Sequence, residues 1–333
     1  MSDKSPELIL APLKGYTDEV FRNVFARHFD GFDGAMAPFI PTVKDARIRP
    51  ALLRGVTPDR NQRLPIVPQV MSNSPDDFIR MACALTDLDH GEINWNLGCP
   101  FPMVAKKSKG SGLLPQPERI DRFLDEVVPR LPCRLSVKLR LGRKQPDEIF
   151  RVIDTLNDYP LSEIIIHPRT GIQMYAGRPD LDRFERCLMV SRHPVTYNGD
   201  INCLGDFTYL SERFKGVGRW MIGRGALINP YLPGTIKGID IAEQDKVLRF
   251  RAFYDDLYRG YQKRLSGPGH LINRMKGFWT YFALTFEGGH RTAKKIHRSK
   301  RIGRYEEIVS EFFSKNPKWV EPGERVSVDE LLP

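Results

Sequence analysis

Nowhere do the 333 residues offer about eighteen uninterrupted apolar positions, so a membrane-spanning helix is not expected. The opening MSDKSPELILAPLKGYTD has no apolar stretch behind a basic start, and the sequence reads as cytoplasmic. Cysteine is scarce: Cys83, Cys99, Cys133, Cys187 and Cys203 are odd in number, widely spaced and never in CxxC. Neither a disulfide frame nor a metal site is suggested, and reduced thiols are expected. Low-complexity tracts and short-period repeats are missing too, and with 41% hydrophobic residues the chain has the apolar content of an ordered globule. No residue pattern speaks to oligomeric state.

Eight β-rich runs punctuate the first two thirds: ELILAP (7–12), DGAMAPF (33–39), PIVPQVM (65–71), EINWNLGCP (92–100), LSVKLRL (135–141), EIIIHPR (163–169), PVTYNGD (194–200) and RWMIGRG (219–225). Most are continuously apolar, as parallel strands covered on both faces are. Helical stripes separate them, such as Val20, Phe21, Val24 and Phe25 behind the cap candidates Thr17 and Asp18, and Ile120, Phe123, Leu124 and Val127. Eight βα units over about 230 residues fit a (β/α)8 TIM barrel better than a doubly wound sheet of five or six strands. After about residue 240 the β signals stop, and helical spacing continues with Gly/Pro breaks at SGPGH and EGGH. The expected division is a barrel over 1–238 and a smaller helical bundle over 239–333.

Charge is concentrated in that bundle. From His270 to Arg304 nine Lys and Arg residues stand against the single acid Glu287, in a chain of net charge +10. A local excess of this size favours a polyanionic partner, nucleic acid before membrane, because no strongly apolar face accompanies it. The plainer alternative is a solvated helix face.

Strand ends supply the candidate site, since a barrel of this type works at that end. There the sequence places Pro12, Gln69, Asn96 with Cys99, Lys138 with Arg140, His167 with Arg169, Asn198-Gly199-Asp200 and Gly223-Arg224-Gly225. Singly, each has a structural explanation; Cys99 in particular reads either as a small buried hydrophobe or as a thiol held out for chemistry. Together they put ionisable groups on nearly every strand. NGD and IGRGAL offer unobstructed N–H groups and one guanidinium for a phosphate, and Lys138 suits an anionic ring edge, which converges on a flavin mononucleotide site.

These segments carry a resemblance. APLKGYTDEVFR (11–22), NLGCP (96–100), KLRLG (138–142), HPRT (167–170), YAGRPD (175–180), NGD and IGRGAL resemble, in order, motifs of the tRNA-dihydrouridine synthases. The resemblance implies FMN, reduced by NADPH, saturating the C5–C6 bond of uridines in tRNA, with hydride delivered to C6 and Cys99 protonating C5. It implies that Pro12, Leu13, Lys14, Gln69, Asn96 and Lys138 meet the flavin, and Asn198, Gly199, Asp200, Gly223 and Arg224 its ribityl phosphate. His167 and Arg169 would border flavin and base. The basic tail, represented by Arg274, Lys276, Lys294, Lys295 and Arg298, would hold the tRNA while the uridine is flipped out of its stack.

Three departures from the family pattern stand out: Asn94 where Asp is usual, Leu13 in place of Met, and a shortened KGSGLLPQP (109–117), expected to form a mobile cover near Cys99. Two other readings are open, an FMN barrel acting on a free pyrimidine, like dihydroorotate dehydrogenases, and a non-catalytic RNA-binding barrel. The basic extension argues against the first. The retained Cys99, Lys138, His167 and Arg224 argue against the second.

Overall fold

A computed structural model describes residues 5–43 and 47–321; the expected bundle's last twelve residues lie outside them. The described residues form ten strands: β1 (Glu7–Leu10), β2 (Gly34–Met36), β3 (Ile40–Pro41), β4 (Ile66–Val67), β5 (Gln69–Met71), β6 (Glu92–Leu97), β7 (Arg134–Gly142), β8 (Ile164–Thr170), β9 (Val195–Asn198) and β10 (Arg219–Ile222). All pair in parallel, in the order β3-β5-β6-β7-β8-β9-β10-β1-β2-β4.

The two ends of that order belong to one joint. Strands β2 and β3 are pieces of the second β-rich run and its extension, and β4 and β5 are the third run divided at Pro68. β2 pairs with β4 (Ala35↔Ile66) and β3 with β5 (Ile40↔Val70), so the sheet closes into eight staves, a (β/α)8 barrel. The division has a chemical cause at one point, for Pro68 has no N–H to donate.

Alternation along each stave assigns its faces. Ile9, Ala11, Met36, Val67, Ile165 and Met221 form a small separate apolar cluster, which fills the barrel interior. The opposite faces, with Leu8, Trp95, Val137 and Ile166, join the large core shared with the surrounding helices. By the same period Gln69, Asn94, Asn96, Ser136, Lys138, His167 and Arg169 point inward, so the interior is apolar on one side and polar on the other.

Helices begin where the sequence signals them. Asp18 caps Glu19–His28, its carboxylate accepting from the Phe21 N–H at 3.2 Å, and Pro117–Val127 buries Ile120, Phe123, Leu124 and Val127. Beyond the barrel come Glu243–Arg264, Pro268–Phe282, Gly289–Arg298 and Ile302–Ser314. The first two dock on Glu19–His28 through an aromatic seam: Phe21 stacks on Phe278 at 5.6 Å, and Phe29 meets Phe253 edge-on at 4.9 Å. Polar ties close its edge, from Arg264 Nε to Glu19 Oε1 at 3.0 Å and from Tyr261 Oη to Asp18 Oδ1 at 2.8 Å. Among the described residues no helix is long and apolar enough to cross a membrane.

Candidate active site

At the C-terminal ends of the strands lies a cleft with about 820 Å³ of empty space, part of it open to solvent. Its wall includes Pro12, Leu13 and Lys14 after β1, Asn96 and Cys99 from β6, Lys138 and Arg140 on β7, and His167 on β8. Asn198, Gly199 and Asp200 after β9 and Gly223 and Arg224 after β10 complete it. The close fit of this last corner depends on Gly225, where a Cβ would lie 1.9 Å from the Ile201 carbonyl oxygen.

Positive charge dominates. Burial, and then the charge of Arg140, push Lys138 down to about 7; no hydrogen bond or ion pair is found for its ammonium among the described residues. Arg140, itself lowered to about 10 by burial, is tied to the Thr170 carbonyl at 2.9 Å and lies over the Tyr175 ring at 5.4 Å. Two further cations share the carboxylate of Asp200, which accepts from Arg169 through both oxygens and from Arg224 Nη2 at 2.8 Å. Arg224 also sits 4.8 Å over Tyr175.

His167 is held neutral, first by burial and then by the surrounding Arg140, Arg169, Lys138 and Arg224. Arg169 Nη1 lies 3.1 Å from His167 Nε2, and arginine can only donate, so the ring proton resides on Nδ1. Cys99 is 5% exposed, and its thiol is pushed up by burial, against the pull of the Phe101 N–H and of Lys14, Arg140 and Arg143. It is therefore protonated at neutral pH.

Two expected cofactor residues stand behind the wall instead of in it. Gln69 is fully buried, both ends of its amide taken by Asn94 and Asn96. Arg169 is also fully buried, spent on Asp200, His167 and the Gly177 carbonyl, with Nε left unpartnered. The segment 109–117 is not a cover over the cleft. Ser111 gives both its N–H and its hydroxyl to the Cys99 carbonyl at 3.0 and 2.9 Å, and Leu113 and Leu114 are buried, which locks the segment beneath the cysteine. What faces solvent beside Cys99 is Phe101, 45% exposed, and Met103, 82% exposed.

The basic candidates also divide. Arg274 donates to the Gly15 carbonyl and lies 3.5 Å from Asp18, and Lys276 donates to the Ser299 carbonyl; both are half-buried and tied to backbone carbonyls. Lys294, Lys295 and Arg298 are exposed along Gly289–Arg298. Sequence reasoning assigned no role to Tyr175, although YAGRPD contained it, nor to Asn202, Phe39 or Arg143. Arg143 donates to the Pro100 carbonyl at 2.7 Å, and the first three line the cleft.

Fold and cleft together define a parallel barrel with an ionisable cleft at its strand ends, the end at which enzymes of this fold carry their active sites. The barrel is similar to that of morphinone reductase, with a TM-score of 0.50 and 11% identity over 74% of this chain and 93% of that one. The sequence profile described as "Dihydrouridine synthase (Dus)" matches residues 9–300. The chain belongs to the dihydrouridine synthase family and is an oxidoreductase. Similar along nearly their whole lengths are the tRNA-dihydrouridine(16) synthase of Aquipseudomonas alcaligenes, 26% identical over 320 residues (91% of this chain, 99% of the relative), and the probable tRNA-dihydrouridine synthase 2 of Bacillus subtilis (strain 168). The latter is 26% identical over 322 residues, covering 93% of this chain and 95% of the relative.

Proposed function

We propose that this protein reduces uridines of tRNA to dihydrouridine in the strand-end cleft, using FMN recharged by NADPH, with Cys99 as the proton donor. The observation that carries the reading is the pairing, in one cleft, of a protonated buried thiol with a half-buried lysine that has no counter-ion among the described residues. A desolvated cation of this kind fits a ligand that brings negative charge. FMN matches that donor set: Lys138 would face its ring edge, and Asn198, Gly199, Gly223 and Arg224 would face its phosphate.

When bound and reduced, FMN would supply the hydride for C6 of the base. Cys99 holds a proton at Sγ and releases it to C5. The thiolate left behind is eased by the Phe101 N–H and by the charges of Lys14, Arg140 and Arg143, which already favour the ionised form. His167 cannot take this role at neutral pH, because it carries no excess proton; its Nδ1–H serves as a hydrogen-bond donor. Lys294, Lys295 and Arg298 present an exposed basic ridge to a phosphate backbone, which offsets the cost of extruding the base. This ridge favours tRNA over a free pyrimidine. The A. alcaligenes relative is named for position 16, which makes uridine 16 the first position to map.

Dihydrouridine mapped in tRNA from cells with and without the gene, together with the flavin spectrum of the purified protein, tests the reading. An unchanged map removes the tRNA assignment. A colourless protein that FMN cannot reconstitute removes the cofactor.

A further inference from the structure

Asn94 lies outside the cleft wall, fully buried on β6 two residues before Asn96. It is joined to Cys99 by a line of hydrogen bonds whose direction can be derived from one end. Backbone N–H groups only donate, so those of Gly98 and Cys99, at 3.2 and 2.9 Å, require Asn96 to face them with Oδ1. Asn96 Nδ2 then donates to Gln69 Oε1 at 2.7 Å, which turns Gln69 Nε2 away toward Asn94 Oδ1 at 2.8 Å. Asn94 Nδ2 donates in turn to Ser136 Oγ at 3.0 Å, and that hydroxyl donates to the Ile93 carbonyl at 3.4 Å. Each amide has one orientation that leaves no NH₂ facing NH₂ and no oxygen facing oxygen.

The acceptor at position 94 is what holds this order at its far end. Among the described residues Gln69 Nε2 has one other hydrogen-bond partner, the Met36 sulfur at 3.2 Å, and a thioether is a weak acceptor. Without a strong acceptor at 94, Gln69 loses its reason to present Oε1 to Asn96, and Asn96 loses the constraint that keeps its own carbonyl on the cysteine turn. A carboxylate at 94 would still accept from Gln69, with the Ser136 hydroxyl turned to donate to it.

We propose that Asn94 is a positioning residue for Cys99: through Gln69 and Asn96 it fixes the turn that aims the thiol. The inference rests on the reading of Cys99 as the proton donor. It also states what position 94 requires, namely an acceptor toward Gln69, with the amide and the carboxylate equivalent in that duty.

The test compares Asn94→Leu, Asn94→Ala and Asn94→Asp in the FMN-loaded enzyme. Cys99 alkylation by iodoacetamide is followed by peptide mass spectrometry, with exposed Cys83 as the internal reference. Asn94→Leu is expected to change the Cys99-to-Cys83 rate ratio by about threefold or more and to lower kcat about tenfold with KM for tRNA unchanged. Asn94→Asp should keep both within about twofold of wild type. Wild-type alkylation and turnover in Asn94→Leu, or equal losses in the Leu and Asp variants, would overturn the proposal. Should Asn94→Leu not fold, the smaller Asn94→Ala, which also removes the acceptor, carries the test: a change of the ratio by about threefold or more is expected, and an unchanged ratio overturns the proposal. Full turnover by Cys99→Ala would instead sink the proton-donor reading, and the alkylation ratios would still decide the role of Asn94.

Discussion

Cys99 and Gly110 meet so closely that a Cβ added at 110 would stand 2.7 Å from the Cβ of the cysteine. The segment after Cys99 returns beneath it and takes up a left-handed turn, with φ of +55° at Gly110, where no side chain fits. Gly110→Ala is therefore expected to cost about 1–3 kcal/mol in stability and to displace the thiol. Thermal unfolding and turnover on unmodified tRNA measure the two effects; wild-type values in both would show that the close approach is dispensable.

Cys99→Ala should keep the flavin spectrum and tRNA affinity and lower turnover by about 10²–10⁴-fold, the range of general acid catalysis. Dihydrouridine formation under single-turnover conditions is the readout. The idea fails if the variant matches wild type.

Asp200 makes stability sensitive to acid. Burial alone would raise its carboxyl, but the bonds and charges of Arg169 and Arg224 outweigh burial and hold it below the usual range. As pH falls below about 4, the unfolded chain takes up this proton before the folded one does. The stabilisation is therefore full above that range and disappears as acid titrates the folded carboxyl. Asp200→Asn leaves Arg169 buried without its counter-ion and should lower stability by about 3–5 kcal/mol at pH 7. The gap to wild type should close toward pH 3. A gap that stays constant with pH would mean that Asp200 acts by shape alone.

Lys138 gives a slope of the same sign at higher pH, here by relief of a penalty on the buried charge. Its folded value of about 7 lies below the ordinary lysine value of about 10.4, so between these limits the unfolded chain binds more protons and stability from this group rises with pH. In cofactor-free protein, Lys138→Met should gain melting temperature over wild type at pH 6 and lose that advantage by pH 10. The same advantage at both values would contradict a desolvated ammonium.

Replacing Lys294, Lys295 and Arg298 by Glu should weaken tRNA binding and flatten its salt dependence by about one unit of slope for each phosphate no longer neutralised, with flavin reduction by NADPH intact. Arg274→Ala should do the reverse, lowering the melting temperature and sparing the salt slope, since its guanidinium is committed to Gly15 and Asp18. Equal salt slopes for wild type and the triple variant would move the tRNA surface elsewhere.

The staves and the change from strands to helices after residue 240 were legible because both rest on local periodicity. The layer a side chain occupies was not. Gln69 and Lys138 both point into the barrel, yet one is sealed behind the wall and the other lines the cleft, a difference of depth that a period of two does not encode. Nor does a count of charges reveal which cations find carbonyl partners, which is why Arg274 and Lys276 were grouped with Lys294. The segment 109–117 did carry a usable signal, since the apolar pair Leu113-Leu114 behind Gly-Ser-Gly argues for a segment packed inward.

Glu19–His28 follows the first stave, yet it presents Phe21, Phe25 and Phe29 to the rings of helices that the ribosome makes more than two hundred residues later. Until Phe253 and Phe278 emerge, that face has no cover. A fragment ended at residue 238 would strip Phe253 and Phe278 from that face and leave Phe21 without its stacked partner, so the change from strands to helices marks a shift of style along the chain and not a seam between independent surfaces.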